Sequence, residues 1–294
     1  MVVYRTRLDC LINWSINFVM VVICIIMVYP FIYALSYSLS TSISVMTRSV
    51  ILFPVDFTLE NYSAVFKNPL IYNSFLISIA RTVLGTAFTL LVTSLAAYAI
   101  SKKHLPGGRL LTFFFIVPMY VQGGLLPYYM VVHDLHLFNN FLIYILPSGF
   151  WAYNMLLMRT YFENLPPELE EAARLDGAND LTIFFRIILP LSKPILATIA
   201  IFSGVQQWNS WFDSMLFITN EKLWPLQTLL QKLLLESFST TLQAQAQLSL
   251  GNHSTSPESL KMAMVMVSII PIILIYPIFQ KYFIKGIMIG AVKG

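Results

Sequence analysis

Charged side chains are scarce in this sequence. Lys, Arg, Asp and Glu together supply 11% of its 294 residues, where soluble domains carry about 25%. With 57% hydrophobic residues and a mean hydropathy of +0.72, the chain lacks the polar surface a soluble fold of this size needs. The same figures exclude a disordered segment and a coiled coil. Cysteine is equally sparse. Cys10 and Cys24 are the only two, so a disulfide scaffold is excluded, and both read as small hydrophobes in or beside an apolar run. A net charge of +4 with no basic block disfavours nucleic acid as a partner. No G-x-x-x-x-G-K-[ST] loop occurs, so the chain has no P-loop for ATP. No H-E-x-x-H occurs either. His133-Asp134-x-His136 is the only histidine cluster, and it reads as an interfacial polar turn or, given two more ligands that are not evident, as a metal site. What remains is a polytopic membrane protein.

Charge-free stretches of about 20 apolar residues place the spans. They predict six, over about 13–39, 71–100, 110–132, 137–158, 194–218 and 262–281, within a single transmembrane domain of residues 1–294. Arg5 and Arg7 precede the first. Its apolar core exceeds the usual signal-peptide length of about 7–15 residues, and no small-x-small cleavage site follows, so it reads as an uncleaved anchor. An even span number puts both termini on one side. That side receives twelve of the 18 Lys and Arg residues, the other receives five, and Arg81 lies inside the second span. The positive-inside rule makes the richer side, and both termini, cytoplasmic.

Three connections are long. The first outer loop, about 40–70, is polar and carries Pro54 and Pro69. The last, about 220–261, begins with Leu226, Leu229, Leu230, Leu233 and Leu234 on one helical face, suited to the membrane surface or to the bundle. Gln, Ser and Thr then dominate 240–257, as a solvated loop or a surface for a partner or polar solute. The third connection, 159–193, is cytoplasmic and concentrates ten of the 32 charged residues. Pro166 and Pro167 open a helix. Glu168, Glu170 and Glu171 occupy its first turn, where the helix dipole favours anions. Leu165, Leu169, Ala172 and Ala173 share one side. Gly177 ends it as a cap able to take positive φ. Asn179 or Asp180 caps a second helix with an apolar stripe of Ile183, Phe184, Ile187 and Ile188. Pro190 and Pro194 bracket the entry to the fifth span. Small side chains at Ala172 and Ala173 let another surface approach this helix closely, and Glu171 offers that surface a carboxylate. The other reading is an ordinary solvated linker.

Glu171-Ala172-Ala173, three residues, Gly177, nine residues and Ile187-Ile188-Leu189-Pro190 together resemble the EAA loop of binding-protein-dependent ABC importers at every fixed position and spacing. Asn61-Tyr62, Asn73-Ser74, Ala96-Ala97-Tyr98 with Ser101-Lys102, and Asp176-Gly177-Ala178 resemble carbohydrate-uptake permeases of the maltose-importer type. The tail from Gln280 to Gly286 and from Gly290 to Gly294 resembles that subfamily. Gly123-Gly124 and Tyr276-Pro277 resemble its branch for complex polysaccharide fragments. The resemblance implies an all-α, type I ABC importer permease fold with six transmembrane helices and a cytoplasmic coupling helix, in the bacterial inner membrane. It implies a permease subunit rather than an enzyme, one that imports an oligosaccharide by alternating access. Implied partners are a second, homologous permease chain, two cytoplasmic ATPase subunits that use ATP and Mg, and an extracytoplasmic solute-binding protein. By this resemblance Glu171, Ala172, Ala173, Asp176 and Gly177 belong to the ATPase-coupling segment. Gly290, Ala291, Val292, Lys293 and Gly294 belong to a tail that contacts the ATPases.

A translocation path needs polar groups inside the spans. Arg81 is costly there and must face a partner or a cavity, and Asp213 is positioned to pair with it or to meet solute. Gln206, Gln207, Trp208 and Asn209 form a polar and aromatic cluster in the fifth span. Such groups suit either interhelical hydrogen bonds or a sugar, which is bound by amides and aromatic faces. Gln122 and Asn154 complete the candidate path. The alternatives are an ion-coupled secondary transporter, which calls for ionisable groups near mid-membrane where only Arg81 stands out, and an ABC permease for another small solute.

Overall fold

The computed structural model describes residues 7–41, 44–45, 51–102, 104–121, 123–235 and 257–291. Among them the secondary structure is helical apart from one isolated β-bridge, Ser40 to Phe57. The described residues fall into two compact units. One is drawn from Met1–Pro69 and Lys232–Ile270, the other from Leu70–Gln231 and Pro271–Gly294.

In the first unit, helix α1 (Arg7–Ser38) is apolar around its whole circumference, and its membrane-length stretch, Leu11–Ser38, is exposed from Leu11 to Ile32, with burial confined to its C-terminal end at Ala34, Ser36 and Ser38. A helix apolar on all sides has no soluble face, so its surroundings must be hydrocarbon or other apolar helices. Its C-terminal end is held by polar contacts. The side-chain amide of Asn61, in α2 (Glu60–Lys67), donates to Ser38 O at 2.9 Å and Ser40 O at 3.0 Å. The hydroxyls of Ser38 and Tyr62 lie 2.7 Å apart, and Ser36 donates to Leu52 O at 2.7 Å. The Asn61-Tyr62 pair therefore fastens α2 onto the end of α1.

The second unit is organised around α3 (Pro69–Ser101). Its buried positions Ser74, Ser78, Arg81, Gly85, Thr89, Thr93 and Ala97 recur every three or four residues. With the exception of Arg81 they are small, which lets neighbouring backbones come close. One apolar cluster gathers Ala97, Tyr98, Met155, Met158, Phe162, Ile183, Phe184, Ile188, Ile195 and Ile199. A second joins Val132, Ile143, Tyr144, Phe217, Ile218 and Trp224.

The third span is bent where a single helix is expected over 110–132. Helices α4 (Gly108–Tyr120) and α5 (Leu125–Asp134) are bent by 118° relative to each other. Pro118 weakens the end of α4, and Gly124, at φ 81°, supplies a backbone angle closed to most side chains. The fourth span, expected over 137–158, is helical only in a 3₁₀ turn at Phe141–Tyr144 and in α6 (Ala152–Glu163). Pro147, Ser148 and Gly149 interrupt it. Helix α7 (Glu168–Leu175) leads to α8 (Asp180–Leu191), which contains a π-turn at Phe184–Ile188. The chain then turns 82° into α9 (Lys193–Asn209). A short helix, α10 (Phe212–Phe217), continues the fifth span after a break. Helix α11 (226–235) buries Leu226, Leu229 and Leu230, so its leucine face packs within protein. Helix α12 (Pro257–Ala291) contains the whole sixth stretch. Among the described residues three helices, α1, α3 and α12, are long and apolar enough to cross a membrane, and up to five spans result if each bent pair counts as one.

Candidate functional site

Two places collect the residues singled out in the sequence. The first is the turn between α7 and α8. Gly177, at φ 80°, closes α7 with a Schellman pair: Ala178 N–H donates to Ala173 O at 2.9 Å, and Gly177 N–H to Arg174 O at 3.0 Å. Asn179 caps α8, its side-chain oxygen accepting from Thr182 N–H at 2.8 Å. Arg174 reaches across the turn to Asp180 at 2.5 Å. Lys102, at the end of α3, pairs with Glu170 and lies 3.9 Å from the Tyr98 ring centroid. Arg159 joins Glu163 at 2.7 Å and Thr112 at 3.0 Å. Tyr161 donates to Leu191 O at 3.3 Å, and burial pushes its phenol above the ordinary range.

These contacts hold α7 from one side only. Ala173 is buried in the apolar cluster at the foot of α3, while Glu171, Ala172, Asp176 and Gly177 are exposed. The two alanines thus point in different directions, as the 100° step between neighbouring helix residues requires. Leu175 was not singled out in the sequence, yet it stands 90% exposed on the outward side. Its spacing of i+4 from Glu171 is the signal that marks it. In the sequence Lys102 counts among the orienting charges and belongs to the Ser101-Lys102 resemblance. Its pairing with Glu170 spans 68 residues and has no local signature.

The second place is the fifth span. A cavity of about 1120 Å³ is lined there by α9 and α10, with Thr82, Trp151 and Pro271 among the other wall residues. Gln206, Trp208, Asn209 and Trp211 line it, and Gln206 and Asn209 are exposed to it. Gln207 turns the other way and is buried. Its amide donates to Tyr144 O at 2.9 Å and Ser148 Oγ at 2.6 Å, and its carbonyl accepts from Arg81 Nε at 3.3 Å. Arg81 is 1% exposed and pairs with Asp213 at 2.8 Å. Asn154 is buried in α6 and is not among the lining residues. Gln122, Val292, Lys293 and Gly294 lie outside the described residues, as does 240–256. Gly290 and Ala291 form the last turn of α12. Among the described residues no group of three or more His, Cys, Asp or Glu side chains is placed to hold a metal ion.

A solved structure described as a bacterial ABC transporter involved in the import of the acidic polysaccharide alginate contains a chain with the same architecture. The TM-score is 0.87 at 34% identity, covering 95% of this chain and 99% of that one. The polygalacturonan/rhamnogalacturonan transport system permease protein YtcP of Bacillus subtilis (strain 168) is 39% identical over 252 residues, 85% of this chain and 87% of that relative. The arabinooligosaccharides transport system permease protein AraQ of Halalkalibacterium halodurans is 31% identical over 257 residues, 84% of this chain and 83% of that relative. The class of protein is therefore an ABC transporter permease, a transport component rather than an enzyme. Residues 106–289 match the family described as binding-protein-dependent transport system inner membrane component, and this chain belongs to it.

Proposed function

We propose that this chain is the transmembrane permease subunit of an ATP-driven importer that carries an oligosaccharide into the cytoplasm. The observation that carries the reading is the outward face of α7. Glu171, Ala172, Leu175, Asp176 and Gly177 are exposed on a helix whose inner side is fastened by Ala173 and by the Lys102–Glu170 pair. A helix held on one side and bare on the other, with an apolar knob beside a carboxylate, suits a groove of another protein. The EAA spacing assigns that groove to a cytoplasmic ATPase subunit. Two such subunits supply ATP and Mg chemistry, for which this chain has no P-loop. A second, homologous permease chain completes the pore, and an extracytoplasmic binding protein delivers the solute. The six-span reading with both termini inside places α7 on the cytoplasmic face and the 240–257 loop outside. The tail of Gly290 to Gly294 then extends toward the ATPases.

Alternating access follows. ATPase closure moves α7, and the Lys102–Glu170 pair and the Ala173 contact transmit that motion to α3 and its cluster. The cavity beside α9 changes its opening, and hydrolysis resets it. Gln206, Trp208, Asn209 and Trp211 offer amide groups and aromatic faces along that cavity, the chemistry that suits sugar hydroxyls and pyranose faces. Arg81, Gln207 and Asp213 serve the path from behind, as a buried support. Relatives named for polygalacturonan/rhamnogalacturonan and for arabinooligosaccharides support a carbohydrate solute.

The test is Glu171→Lys beside Gly177→Pro. The first inverts the exposed charge. The second forces φ near −65° where the turn needs a positive value. Both variants are expected to insert and fold while losing co-purification with the ATPase and ATP-dependent uptake. Full assembly and uptake in both variants overturns the docking assignment.

A further inference from the structure

The fifth span is broken. Helix α9 stops at Asn209 and α10 starts at Phe212. Between them Ser210 is extended at φ −74°, ψ 130°, and Trp211 sits at φ −129°, ψ −25°. Non-helical backbone at membrane depth persists only where protein satisfies it or where it lines a cavity. Here it does both. On one side Gln206, Asn209 and Trp211 face the cavity. On the other, Arg81 takes up the groups the break sets free.

From these contacts we infer that Arg81 is a positioning residue that fixes this break and so aims the cavity-facing side chains of the fifth span. The inference rests on the reading of that cavity as the solute path. The guanidinium donates through one terminal nitrogen to Ser210 O at 2.9 Å, the carbonyl that a continuous helix would engage. Its other terminal nitrogen donates to Asp213 Oδ2 at 2.8 Å. Asp213 Oδ1 accepts from Ser210 Oγ at 3.1 Å and from Ser214 N–H at 2.9 Å. The remaining Arg81 nitrogen, Nε, donates to Gln207, and the cation stacks 4.3 Å from the Tyr144 ring centroid. One side chain therefore contacts residues 207, 210 and 213, before, within and after the break. Helix continuation through 210–211 would swing α10, and Asp213 with it, away from Arg81 and turn each lining side chain by about 100° per residue displaced. Lysine keeps the charge but presents a single point where this site uses a fork.

The test uses the assembled importer in membrane vesicles, with Cys10→Ser and Cys24→Ser as background and a reporter at Asn209→Cys. The probe is methanethiosulfonate ethyltrimethylammonium, which reacts with thiols in water. The reporter is expected to label rapidly with Arg81 present. Arg81→Gln is expected to slow labelling by about tenfold, the scale of one lost charge-assisted hydrogen bond, with Arg81→Lys between. Asp213→Asn changes the partly exposed partner and leaves Arg81 buried, so it reports if Arg81→Gln does not assemble, and is expected to slow labelling about threefold by the same scale. Unchanged labelling in any of these variants that assembles at normal yield overturns the inference, as does failure of the reporter to label with Arg81 present. A second readout is uptake of an oligogalacturonide. Arg81→Lys is expected to raise KM with kcat preserved, a split that loss of folded protein does not give. The labelling arm needs no solute. Altered labelling without uptake of any sugar therefore refutes the carbohydrate assignment and leaves Arg81 as a positioning residue.

Discussion

Gly85 and Gln207 touch across two helices. A β-carbon on Gly85 would lie 2.4 Å from Gln207 Nε2 and 2.7 Å from its Cδ. No methyl group fits there while that amide keeps its bonds to Tyr144 O and Ser148 Oγ. The glycine is required by the close approach of a side chain, since its φ is helical and unstrained.

Gly85→Ala is therefore expected to destabilise the chain by about 1–3 kcal/mol, the cost of overpacking. Thermal unfolding of the purified complex in detergent checks this. Gly85→Ala combined with Gln207→Ala is expected to recover part of the loss, because the clash is removed together with its cause. Equal destabilisation of the single and double variants contradicts this account of the contact.

Leu175 gives a cleaner separation of folding from docking. At 90% exposure it contributes almost nothing to the chain's own core. Leu175→Ser is expected to leave the melting temperature unchanged and to weaken retention of the ATPase subunits by about tenfold, the worth of burying part of one leucine side chain. Quantitative co-purification against thermal unfolding measures both. A lowered melting temperature with intact retention reverses the assignment.

The pairing of Lys102 with Glu170 predicts a charge-swap rescue. Lys102→Glu alone is expected to reduce stimulation of ATP hydrolysis by the loaded binding protein, since two carboxylates then face each other. The double variant with Glu170→Lys is expected to restore it. The pair is only partly shielded, with side-chain exposures of 16% and 20%, so its effect on stability stays near the 0.2–1 kcal/mol range of about-surface pairs. The informative readout is coupling.

The turn between α7 and α8 was legible in the sequence because its determinants are local. Gly177 needs positive φ, Asn179 has a cap geometry, and the acidic first turn of α7 obeys the dipole. The bent third span and the interrupted fourth were not. Length and hydropathy count apolar residues, and Gly123-Gly124 and Pro147-Ser148-Gly149 leave those counts almost unchanged while breaking the helix. The adjacent pair Gln206 and Gln207 shows the same limit at one residue's resolution. Their amides are identical in the sequence, yet a 100° step sends one to the cavity and the other into a buried network with Arg81. Arg81 itself was readable as costly. Its partners across 126 to 132 residues were only partly so, with Asp213 the one visible candidate.

Asn209 supplies a prediction for the solute. Asn209→Ala removes a cavity-facing amide that makes no contact needed for the fold, so KM for an oligosaccharide is expected to rise about tenfold with assembly intact, as for loss of one or two neutral hydrogen bonds. Initial rates of uptake at several concentrations check this, and an unchanged KM removes Asn209 from the path.

Energy coupling is tested most directly by uptake into proteoliposomes holding the permease pair and ATPase subunits, with the binding protein and a labelled oligogalacturonide outside. Uptake is expected to require ATP enclosed in the lumen on the ATPase side, to persist when an ionophore abolishes the membrane potential, and to vanish with Glu171→Lys. Uptake that follows the membrane potential and ignores ATP would contradict the account.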